Sequence, residues 1–409
     1  MIGGRPIRDL DLALIAVVFL IVLIGIAAIY SATYDSEAGA ARNIYQKQIL
    51  WVVFSTVVLI GTVRIPNRLL YTFSYGIFGI SLLVLVSILT FGTEGMGVKR
   101  WLALGPLRIQ PSELAKITTV LALARYLSSR NVNVEKPGHI IVTAFLVFIP
   151  AFLVAKQPDL GTALVFGAAL LPMLYWAGLR LLYLFFILSP LFSGLCAALS
   201  PYSFAAFIIL LAVTIYLSRL HVLATVALSA TNLTVGMATP YLWENLHDYQ
   251  RQRIMAFVNP DHDPLGAGYQ IIQSKVAIGS GGFWGKGFLQ GTQTKLAFLP
   301  EQHTDFIFSV IGEELGFIGA VIVLVLFLLL IWRAIRIASA ARSEFLSLIA
   351  VGIASILTFH VFVNVGITIG VMPVTGLPLP FVSYGGSSML ANMVGVGLLL
   401  NINLRRHEY

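Results

Sequence analysis

Charged residues are scarce in this sequence, and cysteine is almost absent. Asp, Glu, Lys and Arg make up 11% of the 409 residues, whereas 58% are hydrophobic. A chain of this composition cannot cover a water-facing surface, which excludes a soluble protein of two or three domains. The single cysteine, Cys196, lies inside an apolar run, and an internal disulfide is therefore excluded.

Several familiar signatures of chemistry are also missing. A phosphate-binding loop needs a glycine five residues before Gly285 and a hydroxyl after Lys286, but Ser280 and Gly287 stand there. None of the seven histidines forms the paired motif of a zinc protease. No internal repeat supports an inverted-repeat transporter. The net charge of +8 comes from basic residues in short connections, so it indicates no nucleic-acid partner.

What the sequence does contain is a series of apolar blocks separated by polar residues. Each block is long enough to cross a hydrocarbon layer of about 30 Å as a helix. The pattern predicts an all-α polytopic membrane protein with about twelve transmembrane helices in one integral membrane domain, residues 1–409. The region between Leu181 and Thr239 is open to two interpretations, either three spans or one span with an interfacial hairpin. The predicted spans are 12–31, 49–63, 71–91, 112–126, 139–155, 160–176, 181–199, 202–217, 222–239, 306–332, 346–371 and 384–404.

Basic residues predict which way the spans run. Arg5 and Arg8 precede the first apolar run, and no small-residue cleavage site follows it, so we expect this run to be an anchor. If these arginines are cytoplasmic, every even-numbered connection is also cytoplasmic, and each of them is basic. Both termini are then cytoplasmic. The long polar loop between Thr239 and Phe306 falls on the outer side, where the absence of ATP disfavours nucleotide-driven chemistry.

This outer loop, residues 240–305, is the expected place for chemistry, because long loops in compact proteins usually carry function. Asp263 lies in a run of Asn-Pro, Asp-Pro and glycine that is typical of ordered turns. Gly266 and Gly268 would let a ligand or another backbone approach closely. Asp261, His262 and Asp263 could together bind a divalent ion, but their spacing is unspecific. A lone carboxylate on a turn is more often structural than catalytic.

A second group of polar residues lies at membrane depth near the start of the fourth span. Glu113 and Lys116 are three residues apart, so they share one helix face. They could form a structural ion pair, or line an outward-facing cavity with Arg108 that suits a phosphate-bearing ligand. Lys156 and Asp159 could extend the wall of this cavity. Asp159 could equally be only the N-cap of the sixth span.

Two further regions carry polar residues inside predicted spans. Glu313 and Glu314 are adjacent, so they point about 100° apart, and one of them should meet a cation or a hydrogen-bond donor. A purely structural pairing with Lys116 or Arg108 is the alternative. The run 373–388 is rich in proline, glycine and hydroxyls, which favours a re-entrant segment facing the same cavity over a tight outer loop.

Six separate strings, spread along the chain, resemble the SEDS (shape, elongation, division and sporulation) family, most closely its elongation branch. They are Arg-Trp-Leu through Gln-Pro-Ser-Glu-Leu-Ala-Lys (100–116), Gln-Pro-Asp-Leu-Gly-Thr (157–162), His-Asp-Tyr-Gln-Arg-Gln-Arg (247–253), Asp-Pro-Leu-Gly-Ala-Gly-Tyr-Gln (263–270), Phe-Leu-Pro-Glu-Gln-His-Thr-Asp-Phe-Ile-Phe (298–308) and Pro-Leu-Pro-Phe-Val-Ser-Tyr-Gly-Gly-Ser (378–387).

The resemblance implies a peptidoglycan glycosyltransferase that polymerises lipid II at the outer face of the bacterial cytoplasmic membrane. Its expected partners are a class B penicillin-binding protein and other elongation-complex membrane proteins. A lipid II flippase and a non-catalytic scaffold are the alternatives. Members of the family usually have ten spans, so residues 178–240 are expected to hold an extra hairpin.

The resemblance also assigns roles to individual residues. It implies that Asp263 is the essential aspartate, and we expect this residue to act as the general base. A divalent cation there (Mg or Mn) is a further hypothesis, which one carboxylate does not establish. For substrate binding, the resemblance implies Arg108, Glu113 and Lys116, and we expect Gln110, Lys156, Asp159, His303 and Ser383 to complete the set. The residues expected to be structural or to line the cavity are Glu301, Asp305, Glu314, Gly266 and Gly268.

Overall fold

A computed structural model describes residues 10–34, 43–95, 98–104, 107–245, 251–252, 255–257, 268–295 and 302–405. The helices are α1 (Leu12–Thr33), α2 (Ile44–Arg64), α3 (Asn67–Phe91), α4 (Pro111–Leu127), α5 (Pro137–Ala155), α6 (Leu160–Trp176), α7 (Leu181–Leu199), α8 (Pro201–Ser218), α9 (Val222–Glu244), α10 (Tyr269–Gly281), α11 (Thr292–Lys295), α12 (Ile307–Ala340), α13 (Glu344–Thr368) and α14 (Gly386–Leu404). Each predicted span coincides with one of these helices, which confirms an all-α membrane fold.

Ten of the helices in the described residues are long and apolar enough to cross a membrane. The two remaining predicted spans, α4 and α6, are 17 residues long, at the short end of the range for a membrane-spanning helix. Helix α4 carries Glu113 and Lys116, but it is buried along most of its length by α3, α5, α6, α13 and α14. It is the central helix, and protein rather than lipid surrounds its charges.

The sequence analysis did not predict a small antiparallel sheet between α3 and α4. Its strands, β1 (Thr93–Gly95), β2 (Val98–Leu104) and β3 (Leu107–Ile109), pair in the order β1-β2-β3. In β3, Arg108 pairs with Ala103 of β2. The sheet therefore sets the position of Arg108 just before the start of α4.

Helices α7, α8 and α9 form a separate edge of the bundle. They pack mainly on one another, and α7 makes the contact with α6. Inside this unit, Asn232 Nδ2 donates a hydrogen bond to Ser189 Oγ over 2.9 Å, and Ser193 Oγ donates to the Asn232 carbonyl over 2.7 Å. All three helices have the length and apolarity of membrane spans, so the structure favours three spans here over an interfacial hairpin.

Helix α12 is broken at Gly316, whose φ of 65° and ψ of −165° are not helical. The backbone groups released at the break pair with the loop after α10. The amide of Lys286 donates to the Glu313 carbonyl over 3.0 Å, and the amide of Phe317 donates to the Gly282 carbonyl over 3.0 Å. The break is therefore tolerated inside a membrane protein because another segment satisfies its backbone.

The segment between α13 and α14, residues 369–385, is irregular yet enters the bundle. A side-chain carbon added at Gly25 of α1 would lie 2.6 Å from the Phe381 carbonyl oxygen. Gly25 is eight residues from the end of α1, which corresponds to about 12 Å along the helix axis. This depth agrees with the re-entrant interpretation of the segment.

Buried polar side chains satisfy the backbone of this re-entrant segment. Asn364 Nδ2 donates to the Leu377 carbonyl over 2.9 Å, and the amide of Leu379 donates to Ser383 Oγ over 2.8 Å. Gln48 of α2 accepts from the amide of Gly385 over 3.2 Å. Irregular backbone at membrane depth needs such partners, so these residues hold the segment in place.

Candidate active site

The N-termini of α4, α6 and α14 lie close together, and hydrogen bonds from Gln110 connect them. Its backbone amide donates to Ser387 Oγ over 2.8 Å, and its side-chain amide donates to Asp159 Oδ2 over 3.0 Å. Gln110 precedes α4, Asp159 precedes α6, and Ser387 lies in the first turn of α14. The N-terminus of a helix carries partial positive charge, so three such ends meet around Gln110.

Asp159 has both of the roles between which the sequence could not choose. Its Oδ1 accepts from the amide of Thr162 over 3.2 Å, which is an N-cap. Its Oδ2 accepts from Gln110 and lies 3.9 Å from Arg100 Nη1. Arg100 also donates through Nε to the Gln157 carbonyl over 2.9 Å, and through Nη2 to the Pro158 carbonyl.

Two further cationic residues lie just before Gln110 and Asp159 in the sequence, on β3 and at the end of α5. Arg108 on β3 is exposed, and Lys156 is the C-cap of α5, also exposed, with Nζ 5.5 Å from the Phe152 ring centroid. No ion pair for either one is found within the described part of the chain. Both therefore keep a positive charge that a ligand could use.

Glu113 and Lys116 lie deeper, in a buried chain of contacts. Lys116 Nζ donates to Glu113 Oε1 over 2.8 Å and lies 3.0 Å from His360 Nε2, while His360 Nδ1 lies 3.1 Å from the Pro378 carbonyl oxygen. An ammonium only donates, so His360 Nε2 accepts from Lys116 and Nδ1 donates to Pro378. The carboxylate of Glu113 neutralises the charge of Lys116. This contact is the structural ion pair that the sequence offered as one of two alternatives.

A small cavity lies beside this chain of contacts. Its volume is about 20 Å³, and Glu113, Lys116 and Asn392 are among the residues that line it. A water molecule needs about 10–15 Å³ by the same measure, so the cavity has room for roughly one. A substrate-binding role for Glu113 and Lys116 stays a prediction.

The end of the outer loop packs on the re-entrant segment. Ser383 Oγ donates to the Thr304 carbonyl over 2.6 Å, and the amide of Tyr384 donates to the His303 carbonyl over 2.9 Å. Asn364 Nδ2 donates to the Asp305 carbonyl over 3.0 Å. Ser383 is buried, and its hydroxyl is hydrogen-bonded to backbone groups of Thr304 and Leu379. In the structure this side chain therefore positions the two segments relative to each other.

The two adjacent glutamates of α12 have different partners. Glu313 Oε1 accepts from Lys286 Nζ over 2.7 Å and from the amide of Thr292 over 2.8 Å. Glu314 Oε1 accepts a short hydrogen bond from the Ser31 hydroxyl of α1. The cation expected for one of the glutamates is therefore Lys286.

Three of the predicted site residues, Asp263, Gly266 and Glu301, lie outside the described residues. Gly268 is described and is buried immediately before α10. Among the residues that the structure does describe, no group of three His, Cys, Asp or Glu side chains could hold a metal ion. Asp263 is not among them, so a divalent cation at that residue stays a prediction.

Sequence reasoning gave no role to four residues that organise the site, namely Arg100, His360, Asn364 and Ser387. His360 and Asn364 are polar residues four apart inside an apolar run, and such residues in a span usually have a partner or a function. That signal could have found them. Ser387 carried no local signal, because its partner Gln110 is 277 residues away.

A family model that covers FtsW, RodA and SpoVE, described as cell cycle protein, matches residues 11–204 and 202–408. The chain is 38% identical to the peptidoglycan glycosyltransferase MrdB of Escherichia coli K12, over 95% of this chain and 93% of that protein. It is 35% identical to the peptidoglycan glycosyltransferase RodA of Treponema pallidum, over 98% and 99% of the two chains.

Solved structures show the same likeness. One is a chain from work on the coordination of polymerization and crosslinking by a peptidoglycan synthase complex, with 32% identity and a TM-score of 0.74 over 98% of this chain and 99% of that one. Another is the rod shape determining protein RodA of Thermus thermophilus, with 28% identity and a TM-score of 0.64 over 98% of both chains.

Proposed function

Because the chain belongs to the FtsW, RodA and SpoVE family, we propose that it is a peptidoglycan glycosyltransferase that polymerises lipid II at the outer face of the bacterial cytoplasmic membrane. The observation that carries this proposal is its likeness, over nearly its full length, to proteins named peptidoglycan glycosyltransferase. Similarity to proteins of the elongation machinery makes cell elongation the expected cellular role.

The geometry around Gln110 supports the same chemistry. Transfer of a sugar from a polyprenyl pyrophosphate leaves negative charge on the departing pyrophosphate. The starts of α4, α6 and α14 meet at Gln110, and helix N-termini favour anions. Arg108 and Lys156 add full positive charges that no described carboxylate compensates. Fixed positive groups at a site of developing negative charge lower the barrier to reaction.

Asp263 acts in this proposal as the general base. It takes the proton from an acceptor sugar hydroxyl while that oxygen forms a bond to the anomeric carbon of the donor sugar. The bond from that carbon to the pyrophosphate oxygen breaks, and the electron pair leaves with the pyrophosphate. A divalent cation, if used, would neutralise this leaving group, with the pyrophosphate supplying oxygen ligands that one carboxylate cannot.

The location and the partner belong to the proposal as well. Ten apolar spans make the protein multi-pass, and the basic even-numbered connections support cytoplasmic termini and an outward-facing loop. A structural neighbour comes from a peptidoglycan synthase complex, which supports a partner that cross-links the product, expected to be a class B penicillin-binding protein.

The test is polymerisation of purified lipid II by the purified full chain in detergent, with the partner protein present in a parallel arm. We expect glycan strands from the wild type and none above background from Asp263→Asn. Asp261→Asn is the matched control, because it removes the same charge two residues away, and it should retain activity. An EDTA arm followed by Mg²⁺ or Mn²⁺ measures any metal requirement.

The same assay separates the enzyme from a flippase. Detergent micelles have no two sides, so a protein that only moves lipid II across a bilayer produces no polymer there. An inactive wild type in both arms, or an active Asp263→Asn variant, would contradict the proposed reaction or the proposed base respectively.

A further inference from the structure

Helices α2 and α14 pack extensively on each other, and a buried glutamine connects them at the outer end. Gln48 lies near the start of α2 and is fully buried. Its Oε1 accepts from the amide of Gly385 over 3.2 Å, and its Nε2 donates to the Ser383 carbonyl over 3.4 Å. Gly385 is the N-cap residue of α14. A side chain on α2 therefore sets the place where α14 begins.

A tryptophan one turn further along α2 fixes the same place by packing. Trp51 lies against Gly386, the first residue of α14, and a side-chain carbon added at Gly386 would overlap the Trp51 indole ring. Gln48 and Trp51 are three residues apart, so they share one face of α2. The start of α14 is thus held against α2 by hydrogen bonds and by a close packing contact.

The start of α14 leads directly to the site around Gln110. Ser387, in the first turn of α14, accepts from the backbone amide of Gln110 over 2.8 Å, and the side chain of Gln110 donates to Asp159 Oδ2 over 3.0 Å. Ser387 follows Gly385 closely in the chain, so a shift of this turn changes the distance between Ser387 and Gln110. Gln48 is therefore connected to the three helix starts through the backbone of α14.

We propose that Gln48 is a positioning residue for the glycosyl transfer given under Proposed function, on which this inference rests. It holds the start of α14 in the place where this helix N-terminus faces the departing pyrophosphate. Gln48 is fully buried and uncharged, so it acts through the backbone of α14 rather than by touching the substrate.

The position of the first turn of α14 matters because the effect of a helix N-terminus on an anion falls off within that turn. A displacement of about 1 Å in groups that position a substrate can cost on the order of 100-fold in rate. Negative charge on the pyrophosphate is largest as it departs, and stabilisation at that stage raises kcat. A disturbed start of α14 should therefore lower kcat and leave the KM for lipid II nearly unchanged.

The opposite end of the same helix pair supplies a matched control. Asn401 of α14 is also fully buried, and its Nδ2 donates to the carbonyls of Thr62 and Val63 over 3.0 Å each and of Ile65 over 2.7 Å. These carbonyls lie at the end of α2, away from Gln110. Loss of the Asn401 contacts should lower stability without moving the start of α14.

The experiment measures the initial rate of polymerisation against the concentration of lipid II, with the full chain in detergent. Gln48→Met and Asn401→Leu each keep the approximate shape of the side chain and remove its hydrogen bonds. Both should lower the unfolding temperature, because buried backbone groups lose their partners. We expect kcat to fall about ten-fold or more in Gln48→Met and to stay near the wild-type value in Asn401→Leu. The KM should change little in either variant.

A second pair of variants applies the same test through packing instead of hydrogen bonds. Gly386→Ala pushes the start of α14 away from Trp51, whereas Gly397→Ala adds a carbon 2.9 Å from Thr62 Cβ, nearer the other end of the helix. Gly386→Ala should lower kcat as Gln48→Met does, and Gly397→Ala should not. This pair decides the role of the α14 start if Gln48→Met does not fold.

Binding of undecaprenyl pyrophosphate to the purified proteins, measured by microscale thermophoresis, separates this inference from the proposed reaction. Gln48→Met should bind this probe more weakly than the wild type, and Asn401→Leu should bind it as the wild type does. A wild type that binds the probe but makes no polymer would contradict the proposed reaction, and the binding measurements alone would then decide whether Gln48 positions the site.

Three results would overturn the role of Gln48. They are a wild-type kcat in Gln48→Met whatever its KM, an equal loss of kcat in Gln48→Met and Asn401→Leu, and wild-type binding of the probe by Gln48→Met. The second would mean that Gln48 contributes only to the general stability of the helix pair.

Discussion

Lys116 Nζ of α4 lies 3.0 Å from His360 Nε2 of α13, although the two residues are 244 positions apart in the sequence. His360 in turn reaches the Pro378 carbonyl of the re-entrant segment. The buried ion pair of α4 is therefore connected to the segment that positions Ser383 and Tyr384.

The ion pair should be needed as a pair. Lys116→Met leaves the buried Glu113 carboxylate without its cation, which should lower stability by about 3–5 kcal/mol. The double variant Glu113→Gln with Lys116→Met removes both charges and should recover most of that loss. Thermal unfolding in one detergent measures all three proteins. A Lys116→Met variant as stable as the wild type would rule out this structural role.

His360 should act through its two hydrogen bonds. His360→Leu leaves the Pro378 carbonyl and one Lys116 proton without partners, at a cost of about 1–3 kcal/mol for each buried group. His360→Gln keeps one donor and one acceptor, so it should lose less stability and more of the glycan synthesis should survive. Unfolding temperature and polymerisation rate are measured together. Equal behaviour of the two variants would argue against the hydrogen bonds.

Two variants of Asp159 should separate its role as an N-cap from the role of its charge. Asp159→Ala removes the N-cap of α6 and should cost about 0.5–2 kcal/mol, whereas Asp159→Asn can still accept from the amide of Thr162. Both lose the charged acceptor for Gln110, so both should slow polymerisation. The measurements are thermal unfolding and initial rates. If Asp159→Asn is as unstable as Asp159→Ala, the N-cap is not the source of stability.

Gly316 should tolerate no side chain. An added carbon would lie 2.2 Å from the Gly285 nitrogen, and the φ of 65° disfavours any other residue. Gly316→Ala should therefore lower stability by roughly 3 kcal/mol or more and loosen the loop 282–287. Gly79→Ala in α3 is the control, because apart from its own helix backbone and chain neighbours no described atom lies within 4 Å of the added carbon, and it should be neutral or slightly stabilising. Comparable losses in both variants would contradict the packing argument.

The membrane spans could be predicted from the sequence because the length and apolarity of a helix are local properties. Even the uncertain stretch between Leu181 and Thr239 consists of three helices with the character of spans. The break at Gly316 was not predicted, since α12 reads as one apolar run, and only the facing loop supplies the hydrogen bonds that permit it. The strands β1–β3 were missed because they are short, with three, seven and three residues. Each pairs with the strand next to it along the chain.

The candidate site was readable in part. The N-cap role of Asp159 in α6 was one of two interpretations, because short polar residues start helices. Gln110 was named only as a substrate-binding residue, with no structural role. The assignment of Lys116 to an outward-facing cavity rested on its place one or two turns into α4. Its contacts with Glu113 and His360 give it a structural partner on each side.

The order of residues by itself determined where the chain enters and leaves the membrane, which connections are basic, and which residues can start a helix, because each depends on neighbours in sequence. Only the tertiary structure decided that Gln110 joins three helix starts and that Lys116 meets His360. Those contacts link residues hundreds of positions apart, and helix packing rather than local preference brings them together.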